Sequence, residues 1–147
     1  MTTNELIDKM EIMELAAIFS IYADTKQIKE QSDLFTENAT LISYMGKNKI
    51  AELHGREEIY KSCNEFMSLF ETAHHMNGQH LINITDSTHA TGTAYNITTL
   101  IGKDENGNKT ATKNNIYYED TYEKVNGKWL IAKRNSYFVY SEKTLIK

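Results

Sequence analysis

Apolar side chains return every three or four positions along the first part of the chain: Leu6, Met10, Met13, Ala17 and Ile21 share one helical face. Thr2 and Glu5 have the spacing of a capping box, which marks where that helix begins. The pattern predicts an amphipathic helix of five or six turns whose apolar stripe ends, near the azimuth of Leu6, in Asp24. That carboxylate is expected to point inward. A short helix is predicted over "KQIKEQSDLF", a strand over "ATLISYMG" and its hairpin partner over "KIAELHG". Gly55 opens a third helix with Ile59, Cys63, Phe66, Met67 and Phe70 on its buried side.

From His74 onward the period changes from 3.6 to 2. Long β-type runs are separated by "TDST", "KDENGN" and "VNGK", each with turn chemistry suited to antiparallel neighbours. No proline interrupts them. Helices first and a meander of three or four strands afterwards predict an α+β fold, helices packed on one face of a curved antiparallel sheet. Parity then sorts the side chains. A regular strand over "TAHHMNGQHLINI" puts His74, Met76, His80, Ile82 and Ile84 on the covered face and His75, Asn77, Gln79 and Leu81 on the other, unless Gly78 marks a bulge that reverses the register. In "NIYYEDTYEKV", Ile116, Tyr118, Asp120 and Tyr122 oppose Tyr117, Glu119 and Thr121, which sets Asp120 among apolar neighbours. In "KWLIAKRNSYF", Trp129 and Ile131 share one face while Leu130, Ala132 and Arg134 share the other.

Composition narrows the partners. A chain of 147 residues without a linker-like stretch predicts one domain over 1–147, and a net charge of -4 gives no electrostatic case for nucleic acid. No apolar run approaches the roughly 20 residues that span a bilayer, and the polar start "MTTNELIDKME" is unlike a signal sequence, so a cytoplasmic protein is expected. The one cysteine, Cys63, is expected to pack rather than react.

"FSIYADTKQIKEQSDLFTENATL", "LHGREEIY", "TAHHMNGQHLINI", "ATGTAY" and "YYEDTYEKVNGKWLIAKR" occur in an order that resembles the SnoaL-like branch of the nuclear transport factor 2-like superfamily. The resemblance implies a cystatin-like α+β cone, with three helices from the N-terminal half on the concave face of a strongly bent sheet. Enzymes of that kind include dehydratases, isomerases and polyketide cyclases that act on carbonyl-bearing rings without metal or other cofactor. Their usual pair is an inward Asp near the end of the first helix and a His at the start of the third strand. Carried over, these are Asp24 and His74. A tyrosine is common five residues before that Asp, and Phe19 stands there instead. Tyr22, Tyr44 or Tyr118 is then the candidate phenol, and Arg134 a guanidinium directed at the pocket or at a subunit interface; Asp120, set among apolar neighbours by parity, is expected to be a buried strand partner for a tyrosine or arginine, or else a second pocket acid. A homodimer through the sheet face, or a trimer, is implied as well.

Removal of a proton next to a carbonyl needs a base near neutral pKa and donors for the enolate oxygen. Histidine suits the first task, and an adjacent carboxylate fixes its tautomer. His74 is therefore expected to be the acid/base and Asp24 its orienting group. His75, His80 and His89 are expected to be exposed or locally bonded strand residues, and His54 a loop residue. A metal is not expected, because His74 and His75 point to opposite faces and His74 and His80 lie ~20 Å apart along an extended strand. Two other roles fit the same sequence: a non-catalytic ligand-binding or dimerising module, and an accessory subunit of a larger enzyme.

Overall fold

The computed structural model describes residues 1–146. Three helices, α1 (Thr3–Asp24), α2 (Ile28–Ser32) and α3 (Arg56–Met67), accompany six strands. These are β1 (Phe35–Met45), β2 (Asn48–His54), β3 (Thr72–Asp86), β4 (His89–Lys103), β5 (Lys109–Val125) and β6 (Lys128–Leu145). They form a curved, unclosed sheet in the order β2-β1-β6-β5-β4-β3. All neighbours are antiparallel except β1 and β6. The α+β architecture agrees with the pattern of periods.

Local signals act where the sequence places them. Thr2 and Glu5 close a reciprocal capping box at the start of α1, each side chain taking the other's backbone N–H at 3.1 Å. Asn126 and Gly127 turn β5 into β6 with φ of 52° and 78°, the left-handed pair that a two-residue hairpin turn requires. Lys26, also left-handed, carries the chain out of α1 and donates its ammonium to the Met67 and Phe70 carbonyls at 2.7 Å. The open C-terminal carbonyls of α3 are thereby tied to the end of α1.

The core lies between the helices and the inner face of the sheet. Ile12, Leu15, Leu34, Phe35, Ile59, Ile82, Tyr122, Trp129 and Ile131 form its centre, and Ala23, Ile28, Met67, Ala73 and Leu100 form a second cluster by the end of α1. Each fully buried large apolar side chain contributes about 1.5–3 kcal/mol. The expected α1 stripe is corrected here. Leu6, Met10, Met13 and Ile21 are about half exposed, and the buried face carries Asp8, Ile12, Leu15, Ser20 and Ala23. Both sides of α1 are apolar, so periodicity alone did not rank them. The side with Ile12, Leu15 and Phe19 fits the sheet, and Asp8 is tolerated there because it accepts from Trp129 Nε1 at 3.0 Å and Lys124 at 3.2 Å. Phe66 likewise faces solvent rather than the core.

Two β-bulges reset side-chain parity. Between Asn77 and His80 two residues of β3 oppose one of β4, so Ala73, His75 and Asn77 face inward before the bulge and His80, Ile82 and Ile84 after it. In β6, Ala132 is the extra residue between the Ile131–Tyr122 and Lys133–Thr121 pairs. It brings Arg134 to the inner face with Trp129 and Ile131, where uninterrupted alternation would have set it on the other.

Candidate active site

Asp24 is the last residue of α1, held over β3 by the Lys26 tie and by the cap of Thr25, whose hydroxyl donates to the Ile21 carbonyl at 2.8 Å. Its carboxylate meets His75, not His74. His75 Nδ1 lies 2.6 Å from Asp24 Oδ1, and the His75 backbone N–H donates to both carboxylate oxygens at 3.1 and 3.0 Å. His74 is exposed on the opposite face, opposite Thr99. The bulge after Asn77 is the reason: with Ile82 and Ile84 locked in the core, the extra residue shifts inward parity from His74 to His75.

The pair is poised in a defined protonation state. Because the carboxylate accepts, Nδ1 carries the proton and Nε2 the lone pair. Burial lowers the His75 pKa below the ordinary histidine value, more than Asp24 raises it. The imidazole is therefore neutral at pH 7, the form a general base needs.

A second buried cluster sits deeper under α1. Arg134 donates from Nε and Nη2 to the two oxygens of Asp120 at 2.8 and 2.9 Å. Tyr122 donates to Asp120 at 2.7 Å. With its one O–H committed to Asp120, the Tyr122 oxygen accepts from His80 Nε2 at 3.0 Å. Gly92 makes this possible, since a Cβ there would meet the Tyr122 ring at 3.0 Å and its hydroxyl at 3.2 Å. The Arg134 guanidinium is stacked between the Phe19 and Tyr118 rings, 4.5 and 3.9 Å from their centroids. Burial opposes its charge, but the Asp120 carboxylate outweighs that and holds its pKa above the ordinary value. Burial raises both tyrosines, Tyr118 and Tyr122, so each phenol keeps its proton at neutral pH. Burial also lowers His80.

One donor in this cluster is uncommitted: Arg134 Nη1 is buried without a hydrogen-bond partner among the described residues. It borders a cavity of about 20 Å³ whose wall includes Phe19, Ser20, Asn77, His80 and Tyr118. That is room for roughly one water.

The remaining candidates fall elsewhere. Tyr44 lies on the outer face, stacked on Tyr137 at 5.0 Å between centroids, and Tyr22 packs against the main core beside Trp129. Neither reaches the Asp24–His75 pair. His54 bonds Glu52, and His89 bonds Asp86. Burial pushes the Cys63 thiol up to about 11, leaving it protonated. Among the described residues no three His, Cys, Asp or Glu side chains converge as a ligand set. Parity put His80 and Tyr122 on the covered face without giving either a role, and it set His75 and Asn77 on the wrong one. The bulge that Gly78 offered as the alternative is the one the strand adopts.

A family model for the SnoaL-like domain matches residues 4–135. The chain belongs to the SnoaL-like family. This SnoaL-like domain shares its fold with a Novosphingobium aromaticivorans protein provisionally named a scytalone dehydratase, at 21% identity and TM-score 0.85, covering 100% of this chain and 94% of that one. Hexachlorocyclohexane dehydrochlorinase LinA-type3 from Novosphingobium barchaimii superposes at 16% identity and TM-score 0.76, with 96% and 92% covered. A protein provisionally named the beta subunit of an aromatic-ring-hydroxylating dioxygenase, from N. aromaticivorans, does so at 11% identity and TM-score 0.77, with 92% of each chain covered. No curated protein matches the chain.

Proposed function

We propose that this SnoaL-like domain is a cofactor-independent lyase or isomerase acting on a hydrophobic cyclic carbonyl compound. The observation that carries the proposal is the Asp24–His75 pair, with Nδ1 turned to the carboxylate at 2.6 Å. His75 Nε2 takes a proton from the carbon beside the substrate carbonyl, and the freed electron pair moves onto the carbonyl oxygen. Asp24 stabilises the imidazolium that forms. In a dehydration the enolate then expels a β-hydroxyl, and the proton held on His75 leaves with it as water. In an isomerisation that proton returns to a more distant carbon. Tyr118, whose phenol stays protonated, and Arg134 Nη1 are the proposed donors to the enolate oxygen. The provisional dehydratase and the dehydrochlorinase among the structural neighbours are named for eliminations, which suits this reading.

The test is a thermal-shift and turnover screen of cyclic ketones and β-hydroxyketones, followed by a pH profile on any substrate found. A base whose folded pKa is depressed is active when deprotonated, so kcat/KM should rise with pH through an apparent pKa below about 6.5 and be level at pH 7. A profile that falls on raising the pH from 5 to 7 would exclude neutral His75 as the base.

A non-catalytic role is favoured by one observation, the size of the cavity beside Arg134: a ring cannot occupy about 20 Å³ unless side chains move. Failure of every ring compound to stabilise or turn over would support that role.

The partner we propose is a second copy across the outer face of the sheet. Tyr44, Tyr137, Tyr117 and Tyr95 stack there in a row over four strands, with centroid spacings of 5.0, 4.8 and 5.6 Å. Met76, Ile97, Val139 and Tyr140 lie exposed around them. Sedimentation should give a dimer that Tyr117→Lys converts to monomer; a monomeric parent protein excludes it. Among the described residues no helix is long and apolar enough to cross a membrane. The cytoplasm is the proposed compartment.

A further inference from the structure

Two adjacent histidines compete for one carboxylate, and the backbone gives the choice to His75. We infer that Asn77 is a positioning residue: with the bulge that follows it, it selects His75 over His74 as the partner of Asp24. The inference deepens the reading of Asp24–His75 as the working pair, and rests on it for its functional meaning.

Strand β3 is pinned at both ends with opposite parity. At its far end Ile82 and Ile84 pack in the main core, which requires even-numbered residues to face inward there. At its near end Ala73 packs in the second cluster and His75 meets Asp24, which requires odd-numbered residues to face inward. A strand with period 2 satisfies both only if one extra residue is inserted between them. It lies between the Asn77–Asn96 and His80–Ala94 pairs.

The Asn77 side chain is what holds the odd register on the near side. Its Oδ1 accepts from Ser20 Oγ at 2.9 Å and from the buried Asn96 Nδ2 at 2.8 Å, and its Nδ2 donates to the Ala16 carbonyl at 3.1 Å. Asn96 in turn accepts from the hydroxyl of Thr98, the residue paired with His75. One amide thus bridges α1 to β4 and can do so only from the inner face. If Asn77 turned outward, Ser20 and Asn96 would lose their acceptor, and Asn96 is 3% exposed. Gly78 lets the strand pass closely, since a Cβ there would lie 3.3 Å from Tyr95 Cβ.

Imidazole long-range ¹H–¹⁵N spectra of the full chain read the choice directly, with His74→Gln and His75→Gln assigning the signals. In the parent protein His75 should carry a strongly deshielded Nδ1 proton and His74 none. Deletion of Gln79 removes the extra residue. With Ile82 and Ile84 still buried, a regular strand then carries His75 inward without a bulge, so the deshielded proton should stay on His75 and should no longer depend on Asn77. Asn77→Val should weaken or abolish the His75 signal, and Asn77→Asp, which still accepts from Ser20 and Asn96, should retain it. If the deletion variant does not fold, the Val and Asp variants decide between the outcomes. A His75 signal unchanged in Asn77→Val overturns the inference. So does a deletion variant that moves the deshielded proton to His74 while the Ile82 and Ile84 amides stay protected from exchange. None of these spectra needs a substrate, so failure of the proposed chemistry would show separately, as full turnover by His75→Gln.

Discussion

Replacing His75 by glutamine should lower kcat by about 100- to 10,000-fold on any substrate the domain turns over, the range expected when a positioned general base is lost. Glutamine is close to histidine in size and keeps a donor near the Asp24 carboxylate, but it has no lone pair of comparable basicity where Nε2 stood. The fold should survive, because the backbone N–H of residue 75 still donates to Asp24. His74→Gln is the internal control. That side chain is exposed on the far face, and its loss should change kcat by less than about twofold, the scale of ordinary surface substitutions. Asp24→Asn should fall between the two, since an amide can bond Nδ1 but cannot stabilise the imidazolium. The comparison is made by steady-state kinetics, with circular dichroism to verify folding. Equal losses from His74→Gln and His75→Gln would remove the assigned base.

The largest effect on stability is expected from Asp120→Ala. Among the described residues Asp120 is the only side-chain acceptor of Arg134 and Tyr122, and the side chains of Asp120 and Arg134 are 0% and 3% exposed. Removing the carboxylate leaves a buried guanidinium with no partner, which costs about 3–5 kcal/mol. For a chain of this size each kcal/mol moves Tm by roughly 2–4 °C, so a fall of about 6–20 °C is expected. The paired replacement Asp120→Leu with Arg134→Met removes both charges together and should cost clearly less than the single change. Urea unfolding of the three proteins measures this. A single variant within about 1 kcal/mol of the parent would show that Arg134 finds water or another acceptor on its own. Neither Asp120 nor Arg134 hydrogen-bonds Asp24 or His75, so the stability loss does not run through that pair.

Where the sequence could be read, its local rules were strong. The capping box of Thr2 and Glu5, the Asn126–Gly127 turn and the parity of β5, with Asp120 facing inward between Tyr118 and Tyr122, all depend on neighbours within a few residues. The inward position of Asp24 came from the family resemblance, because helical azimuth set it on the Leu6 stripe, which is half exposed. The misreadings share a physical cause. Parity was carried through Gly78 and through Ala132 as though the strands were regular, and one extra residue in each reversed it. The apolar face of α1 was misread because that helix has two, and the choice between them was made by the sheet.

The chain by itself determined its helices and strands, their order, the turns between them and a carboxylate at the end of α1, since each is set by interactions among residues close in sequence. Only the tertiary structure decided which face of α1 is buried, that His75 rather than His74 meets Asp24, and that Arg134 is shared with Asp120 under Phe19. Those outcomes depend on long-range packing, in which a bulge is admitted so that distant side chains can all reach the same core.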